Sequence, residues 1–368
     1  MISLHGIYKR KYYCIILRPM MLLETVQVLG TRGIARVRGM GTLLLVTEDT
    51  TASSYWLNWR VFLCAIWVFP AMIIALPVIW KYERREQQED SSSLIGDHAW
   101  KPCLKEIHPI WLMTFRIVAL CLLLVALSFD IALHGLELFY YYTQWTFTLV
   151  TIYFAFALVL SINGCLNHYK TSRHSNYYSV LDEEQGLLYV HLKHGANAND
   201  SRRLDVECNR GKHVTPGYAS IWSYTFQVLF QMTAGAVMLT DILYWSIIFP
   251  FLNIRDYDLN FLTVIAHSLN GILFLGDTAL NSLRFPWFRI SYFILWTGAY
   301  VIFEWITHAC INLWWPYPFM DLSDPYAPFW YFSVAFLHFP CYGIFALVVK
   351  AKEYLLSRSF PESYELLR

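Results

Sequence analysis

Residues 59–80 read WRVFLCAIWVFPAMIIALPVIW, an apolar run broken only by Arg60 and long enough to cross a bilayer as a helix. A span needs about 20 apolar residues to cover a hydrocarbon core of about 30 Å. Six further stretches meet the same requirement: 111–134, 145–164, 224–251, 259–281, 290–312 and 329–350. All are too long for the strands of a membrane barrel, which need about 9–11 residues. The expected fold is therefore all-α, a polytopic membrane bundle of about seven transmembrane helices.

Basic residues mark cytoplasmic connections. They cluster after the first span (Lys81, Arg84, Arg85, Lys101, Lys105), after the third (Lys170 to Lys212), after the fifth (Arg284, Arg289) and in the C-terminal tail (Lys352, Arg358, Arg368). The other connections carry only Arg255. This alternation predicts an N-terminus outside the cytoplasm or in a lumen, and a cytoplasmic C-terminus. The chain then divides into an N-terminal tail (1–58), a bundle (59–350) and a C-terminal tail (351–368). A polar loop at about 165–223 reads as a flexible cytoplasmic tether, so its sequon Asn199-Asp200-Ser201 should carry no glycan. Residues 1–39 hold seven Lys or Arg against one acid, Glu24. That pattern fits either a transit peptide or an extension upstream of a start at Met40, the start that the charge bias favours.

Composition agrees: 57% of the 368 residues are hydrophobic and 15% charged, whereas soluble domains average about 25% charged. The net charge of +1 lacks the basic excess of a nucleic-acid binder, and the lipid bilayer is the partner implied. The eight cysteines are scattered without a C-x-x-C pair, which argues against a disulfide framework or a structural zinc site. No cofactor motif is present, so none is expected.

Ionisable groups inside a span are costly, and they mark function or packing. Arg116, Asp130, Asp241, His267, Asp277, Glu304 and His308 fall within the apolar runs, with Thr240 and Asn270 beside two of them. His267 and Asn270 are i,i+3 neighbours and point to one cavity. Glu304 and His308 are i,i+4, where a carboxylate can orient an imidazole. Thr146, opening the third span, needs an adjacent base to act as a nucleophile, and His267 fills that role if the third and fifth spans touch. The plain readings are a capping Thr146 hydroxyl, a hydrogen-bonded His267, and Glu304 and His308 that merely neutralise each other. The aromatic residues Tyr140–Tyr142, Trp145, Trp314, Trp315 and Tyr317 read as an interfacial belt.

Three stretches carry a resemblance: YTQWTFTLVTIYF at 142–154, HSLNGILFLGDTALNSLRFPWFRISYF at 267–293, and WITHACINLWWPYPFMDL at 305–322 followed by SDPYAPFWY. Over roughly 54–350 the chain resembles plant members of the multi-pass family related to rolling stone protein and to the androgen-induced-gene proteins. The latter hydrolyse fatty acid esters of hydroxy fatty acids, using a threonine and a histidine. The resemblance implies Thr146, in Trp145-Thr146-Phe147, as nucleophile and His267 as its partner, with Asp277 at the family's spacing of ten. The chain departs from those proteins by an extra N-terminal span, a longer loop after the third span and Pro316.

Three functions stay open at this point. One is an intramembrane hydrolase acting on an acyl-ester lipid through Thr146 and His267. The second is a non-catalytic scaffold, fusion, receptor-like or transport protein. The third is a metal-dependent lipid hydrolase with His267, His308, Asp241 and Glu304 as ligands.

Overall fold

The computed structural model describes residues 26–28, 34–37, 45–46, 49–89, 99–192, 216–252, 264–265 and 267–364. Met1, Met40, the Asn199 sequon and the first residues of the fifth apolar run lie outside the described residues. Three short strands come first: β1 (Val26–Val28), β2 (Ile34–Val37) and β3 (Leu45–Val46). They pair antiparallel in that order, Val26 opposite Val37 and Ile34 opposite Val46.

Helices make up the body: α1 (Ser53–Trp56), α2 (Trp59–Glu89), α3 (Pro109–His134), α4 (Tyr142–Leu192), α5 (Pro216–Leu243), α6 (Leu269–Leu280), α7 (Ile290–Cys310) and α8 (Ala327–Ser359). Their boundaries follow local chemistry. His108 accepts the Ile110 N–H at 3.3 Å just ahead of Pro109, a cap followed by a proline that has no N–H to lose. The helix stops at Gly135, whose φ of +70° is a conformation open to glycine. Pro70 and Pro77 sit inside α2, and Pro340 inside α8, positions that membrane helices tolerate.

Among the described residues, six helical segments are long and apolar enough to cross a membrane: Trp59–Arg85, Pro109–Tyr140, Tyr142–Lys170, Ile221–Phe249, Trp287–Cys310 and Ala327–Ser359. The fifth apolar run holds the 12-residue α6, about 18 Å long at 1.5 Å per residue. It still carries the chain from one end of the bundle to the other. Its start lies beside Tyr244 and Trp245 at the end of α5. Its last turn lies at the opposite end, where Leu280 O accepts the Cys103 N–H at 2.9 Å and Lys352 Nζ donates to Thr278 and Asn281 carbonyls at 2.9 Å. We refer to these as the Thr146 end and the Arg116 end.

One expectation changes. The stretch after residue 166 read as a flexible tether, yet α4 continues to Leu192. Hydropathy marks only the part of a helix that lies in lipid. Beyond it Glu, Gln, Leu and Lys are good helix formers in water, and α8 likewise runs past residue 350 to Ser359.

Inside the bundle α5 is central. Its Phe226, Phe230, Ala234 and Val237 pack with α4 and α6, and its Ala236 and Leu239 pack in the cluster that includes Phe293 and Tyr300 of α7. Close approach of α5 and α7 requires a glycine, because a Cβ on Gly235 would meet the Phe293 ring at 2.4 Å. Small residues at crossings are the usual means of packing membrane helices. On the outside, large apolar side chains such as Ile73, Val125 and Leu347 stand more than 60% exposed, a surface suited to lipid and unsuited to water.

Candidate functional site

A buried carboxylate is costly unless it is paired and hydrogen-bonded. Two carboxylates meet that cost with arginine. Arg116, on α3, donates through Nε to Asp277 Oδ1 of α6 at 2.7 Å and through Nη2 to Oδ2 at 3.3 Å. Its Nη1 reaches Ala99 O at 2.8 Å, Ser161 Oγ at 2.6 Å and Ala157 O at 3.2 Å. The Tyr153 hydroxyl and Asn281 Nδ2 also donate to Asp277. In the second pair Arg289 Nε donates to Glu83 Oε1 at 2.9 Å, and its Nη1 to Gln227 and Gln231 at 3.1 and 3.0 Å. Asp277, the acid singled out by the resemblance, is thus the counter-ion of Arg116, and both groups act as clamps between helices.

Asp241 and Glu304 are treated differently. Among the described residues no lysine or arginine pairs with either. Asp241 Oδ1 is buried without a hydrogen-bond partner. Its Oδ2 lies over Gly271, where a Cβ would come within 2.7 Å, with the Asn270 side chain alongside. Asn270 Oδ1 accepts the Gly271 N–H at 2.8 Å, while its Nδ2 faces the Asp241 carboxyl. One turn away, the His267 ring stacks on Tyr244 with centroids 3.6 Å apart and planes 6° apart. The His267 carbonyl accepts Trp245 Nε1–H at 3.0 Å, and its Nδ1 has no partner.

Thr146 reaches the same helix. The Thr240 hydroxyl donates to Ala236 O at 2.8 Å, so in the 3.0 Å contact between the two threonines the Thr146 hydroxyl is the donor. The Tyr142 hydroxyl, 2.9 Å from Thr297 Oγ1, also touches Thr146. Thr146 therefore docks at Thr240 of α5 and His267 at Tyr244, four positions further along the same continuous helix. Such positions lie on one helix face with Cβ atoms about 5–6 Å apart. No hydrogen bond joins Thr146 to His267. At Tyr244 the helix passes into a π-helix, Tyr244–Leu252, a geometry that is rare and is frequent at functional sites.

The third expected pair takes a different form. His308 Nδ1 donates to the Glu304 backbone carbonyl at 2.8 Å, and the Glu304 carboxylate stands 3.5 Å away without a hydrogen bond. The ring is held by the helix backbone, since the i−4 carbonyl is nearer to Nδ1 than the flexible carboxylate. The metal reading fails on geometry. It needs His267, His308, Asp241 and Glu304 to converge, and among the described residues no three His, Cys, Asp or Glu side chains form a ligand group.

Sequence reasoning marked Thr146, His267, Asn270 and Asp241 but missed Tyr142, Tyr244, Gly271 and Thr297. Helical offsets were the available hint, since Tyr142 precedes Thr146 by four and Tyr244 follows Asp241 by three. Membrane-length helices around such a buried polar cluster define a multi-pass helical membrane protein. Comparison with family models, curated proteins and solved structures finds no match to the chain.

Proposed function

We propose that this protein is an intramembrane hydrolase of lipid esters, with the Thr146 hydroxyl as nucleophile and His267 as the proton acceptor. The observation that carries the reading is that Thr146 and His267 contact side chains four positions apart, Thr240 of α5 and Tyr244 at the start of the π-helix that continues it. The resemblance to the plant rolling stone-related proteins and the androgen-induced-gene hydrolases supports the same pair. Thr146 must first leave Thr240, at a cost of about 1 kcal/mol for one hydrogen bond. Its proton passes to His267 Nδ1, which has no other partner, and its oxygen attacks the ester carbonyl. Asn270 Nδ2 donates to the carbonyl oxygen as that oxygen becomes negative. His267 returns the proton to the departing alcohol. Water then attacks the acyl-threonine, gives a proton to His267, and releases the fatty acid while the threonine hydroxyl is restored. The Lys and Arg bias supports placing the Thr146 end on the non-cytoplasmic side, with the C-terminus in the cytoplasm.

A non-catalytic membrane protein is the second reading. It is favoured by the Thr146–Thr240 hydrogen bond, which satisfies the hydroxyl as a structural threonine requires. Fluorophosphonate labelling of membranes separates the two, comparing wild type with Thr146→Ala and His267→Ala at equal expression. Hydrolase chemistry requires labelling that is lost in both variants. Folded wild type that resists the probe, or Thr146→Ala that labels normally, leaves the second reading.

A further inference from the structure

Trp315, read from sequence as part of the interfacial belt, is instead buried within the bundle. At the Arg116 end other tryptophans stand in the surface, among them Trp80 of α2 and Trp287, both more than 60% exposed. Trp80 begins the stretch Trp80-Lys81-Tyr82-Glu83-Arg84-Arg85, where α2 turns from apolar to charged.

The two faces of this stretch divide by charge. Inward, Glu83 is buried and accepts the Arg289 Nε–H at 2.9 Å, and Tyr82 packs on Trp287 and Phe288 with ring centroids 5.0 and 5.6 Å apart. Outward, Lys81, Arg84 and Arg85 are exposed. They stand at i, i+3 and i+4, within one turn and on one face. Glu83, the only acid of the stretch, is committed to Arg289 inside the bundle and does not neutralise that outer face.

The same face continues toward the middle of the bundle as apolar surface. Ile73, Ile74 and Pro77 are exposed, and they lead to Lys81 and Arg84 in steps of three or four residues, the spacing of one helix face. From Ile73 to Arg84 this face is about 16 Å long, close to the depth of one leaflet in a hydrocarbon core of about 30 Å. An apolar line of that depth ending in cations matches a phospholipid, with the acyl chain along the line and the phosphate at its end. Arg84 is also preset. Its guanidinium lies over the Trp80 ring, 4.6 Å from the centroid, and Lys81 Nζ is 5.6 Å from the Tyr82 ring. A guanidinium held by its flat face keeps its edge N–H groups for phosphate oxygens. A phosphodiester headgroup brings one negative charge to the three cations of this turn, whereas a phosphorylated inositol brings several close together.

We propose that the outer face of α2 at the Arg116 end is a binding site for a phosphoinositide, an inositol phospholipid carrying phosphomonoesters. Its acyl chain lies along Ile73, Ile74 and Pro77, and its phosphates meet Lys81, Arg84 and Arg85. Basic residues clustered just beyond a spanning helix attract anionic headgroups in the cytoplasmic leaflet, the side that the Lys and Arg bias assigns to this end. The site is separate from the Thr146 chemistry and does not depend on it.

The test is native mass spectrometry of the full chain in neutral detergent, counting the lipids retained as phosphatidylinositol bisphosphate is titrated. Phosphatidylserine with the same acyl chains serves for comparison. One saturable adduct is expected with the bisphosphate, at least about tenfold tighter than with phosphatidylserine. The triple variant Lys81→Gln, Arg84→Gln, Arg85→Gln is expected to lose about a hundredfold. A control triple, Lys105→Gln, Lys350→Gln, Arg358→Gln, removes the same charge from other exposed positions and should lose less than about threefold. Soluble inositol trisphosphate lacks the acyl chain and should compete at least about tenfold more weakly than the lipid. If the first triple does not fold, Arg84→Gln alone decides, with an expected loss of about fivefold. No saturable adduct, equal affinity for phosphatidylserine, equal losses in the two triples, unchanged affinity in the folded first triple or in Arg84→Gln, or a soluble headgroup that competes as well as the lipid overturns the proposal.

Discussion

Arg116 has every guanidinium nitrogen committed inside the bundle, and removing it leaves the buried Asp277 without its counter-ion. Arg116→Ala is expected to cost about 3–5 kcal/mol, read as a lower unfolding midpoint in detergent. The double variant Arg116→Met with Asp277→Leu should recover most of that loss, because an apolar pair leaves no uncompensated charge. A double variant as unstable as Arg116→Ala would contradict this account of the clamp. The presence of both residues in apolar runs was legible in the sequence, but their pairing was not. They stand 161 positions apart, and nothing local encodes which helices meet. The same limit hid the contact of Thr146 with Thr240. The Glu304–His308 spacing was legible, but the choice of the imidazole between the backbone carbonyl and the carboxylate was not, because spacing alone does not rank two acceptors at the same offset.

Among the elements, the crossing of α5 and α7 depends on an absent side chain. Gly235→Ala places a methyl carbon 2.4 Å from the Phe293 ring, whereas a methyl on Gly343 of α8 meets nothing within 4 Å. Gly235→Ala should therefore lower the unfolding midpoint. Gly343→Ala should leave it unchanged or raise it slightly, since alanine gains about 0.5–1 kcal/mol over glycine in a helix interior. Equal effects in the two variants would contradict the close approach. Helix type was readable from apolar length for α2, α3, α4, α5, α7 and α8. Length failed at both ends of its range: the polar half of α4 has no apolar signature, and α6 is only half a bilayer long. At the start of α6, His267 and Ser268 interrupt the apolar run and turn toward α5 instead of extending the helix.

For the molecule as a whole, the path of α6 fixes how many times the chain passes through the bundle. With α6 counted, the chain crosses three times between Lys170, where the apolar part of α4 ends, and the loop before α8, so these two points lie on opposite sides. An impermeant maleimide on intact vesicles, in a cysteine-depleted background, should label Tyr326→Cys from one side and Lys170→Cys only from the other. Both positions are exposed. Labelling of both from the same side would mean that α6 does not complete a pass. The polar design follows the same division. The Arg116 end is closed by two arginine clamps, while the Thr146 end holds Asp241, His267, Asn270, Glu304 and His308, each with a buried polar atom outside any close hydrogen bond. That asymmetry is why the chemistry is assigned to the Thr146 end. Mass mapping of the fluorophosphonate adduct on the digested wild-type protein decides it. The adduct is expected on Thr146 and should be absent from His267→Ala; an adduct on Thr240 or another hydroxyl, or none on folded protein, would contradict the assignment.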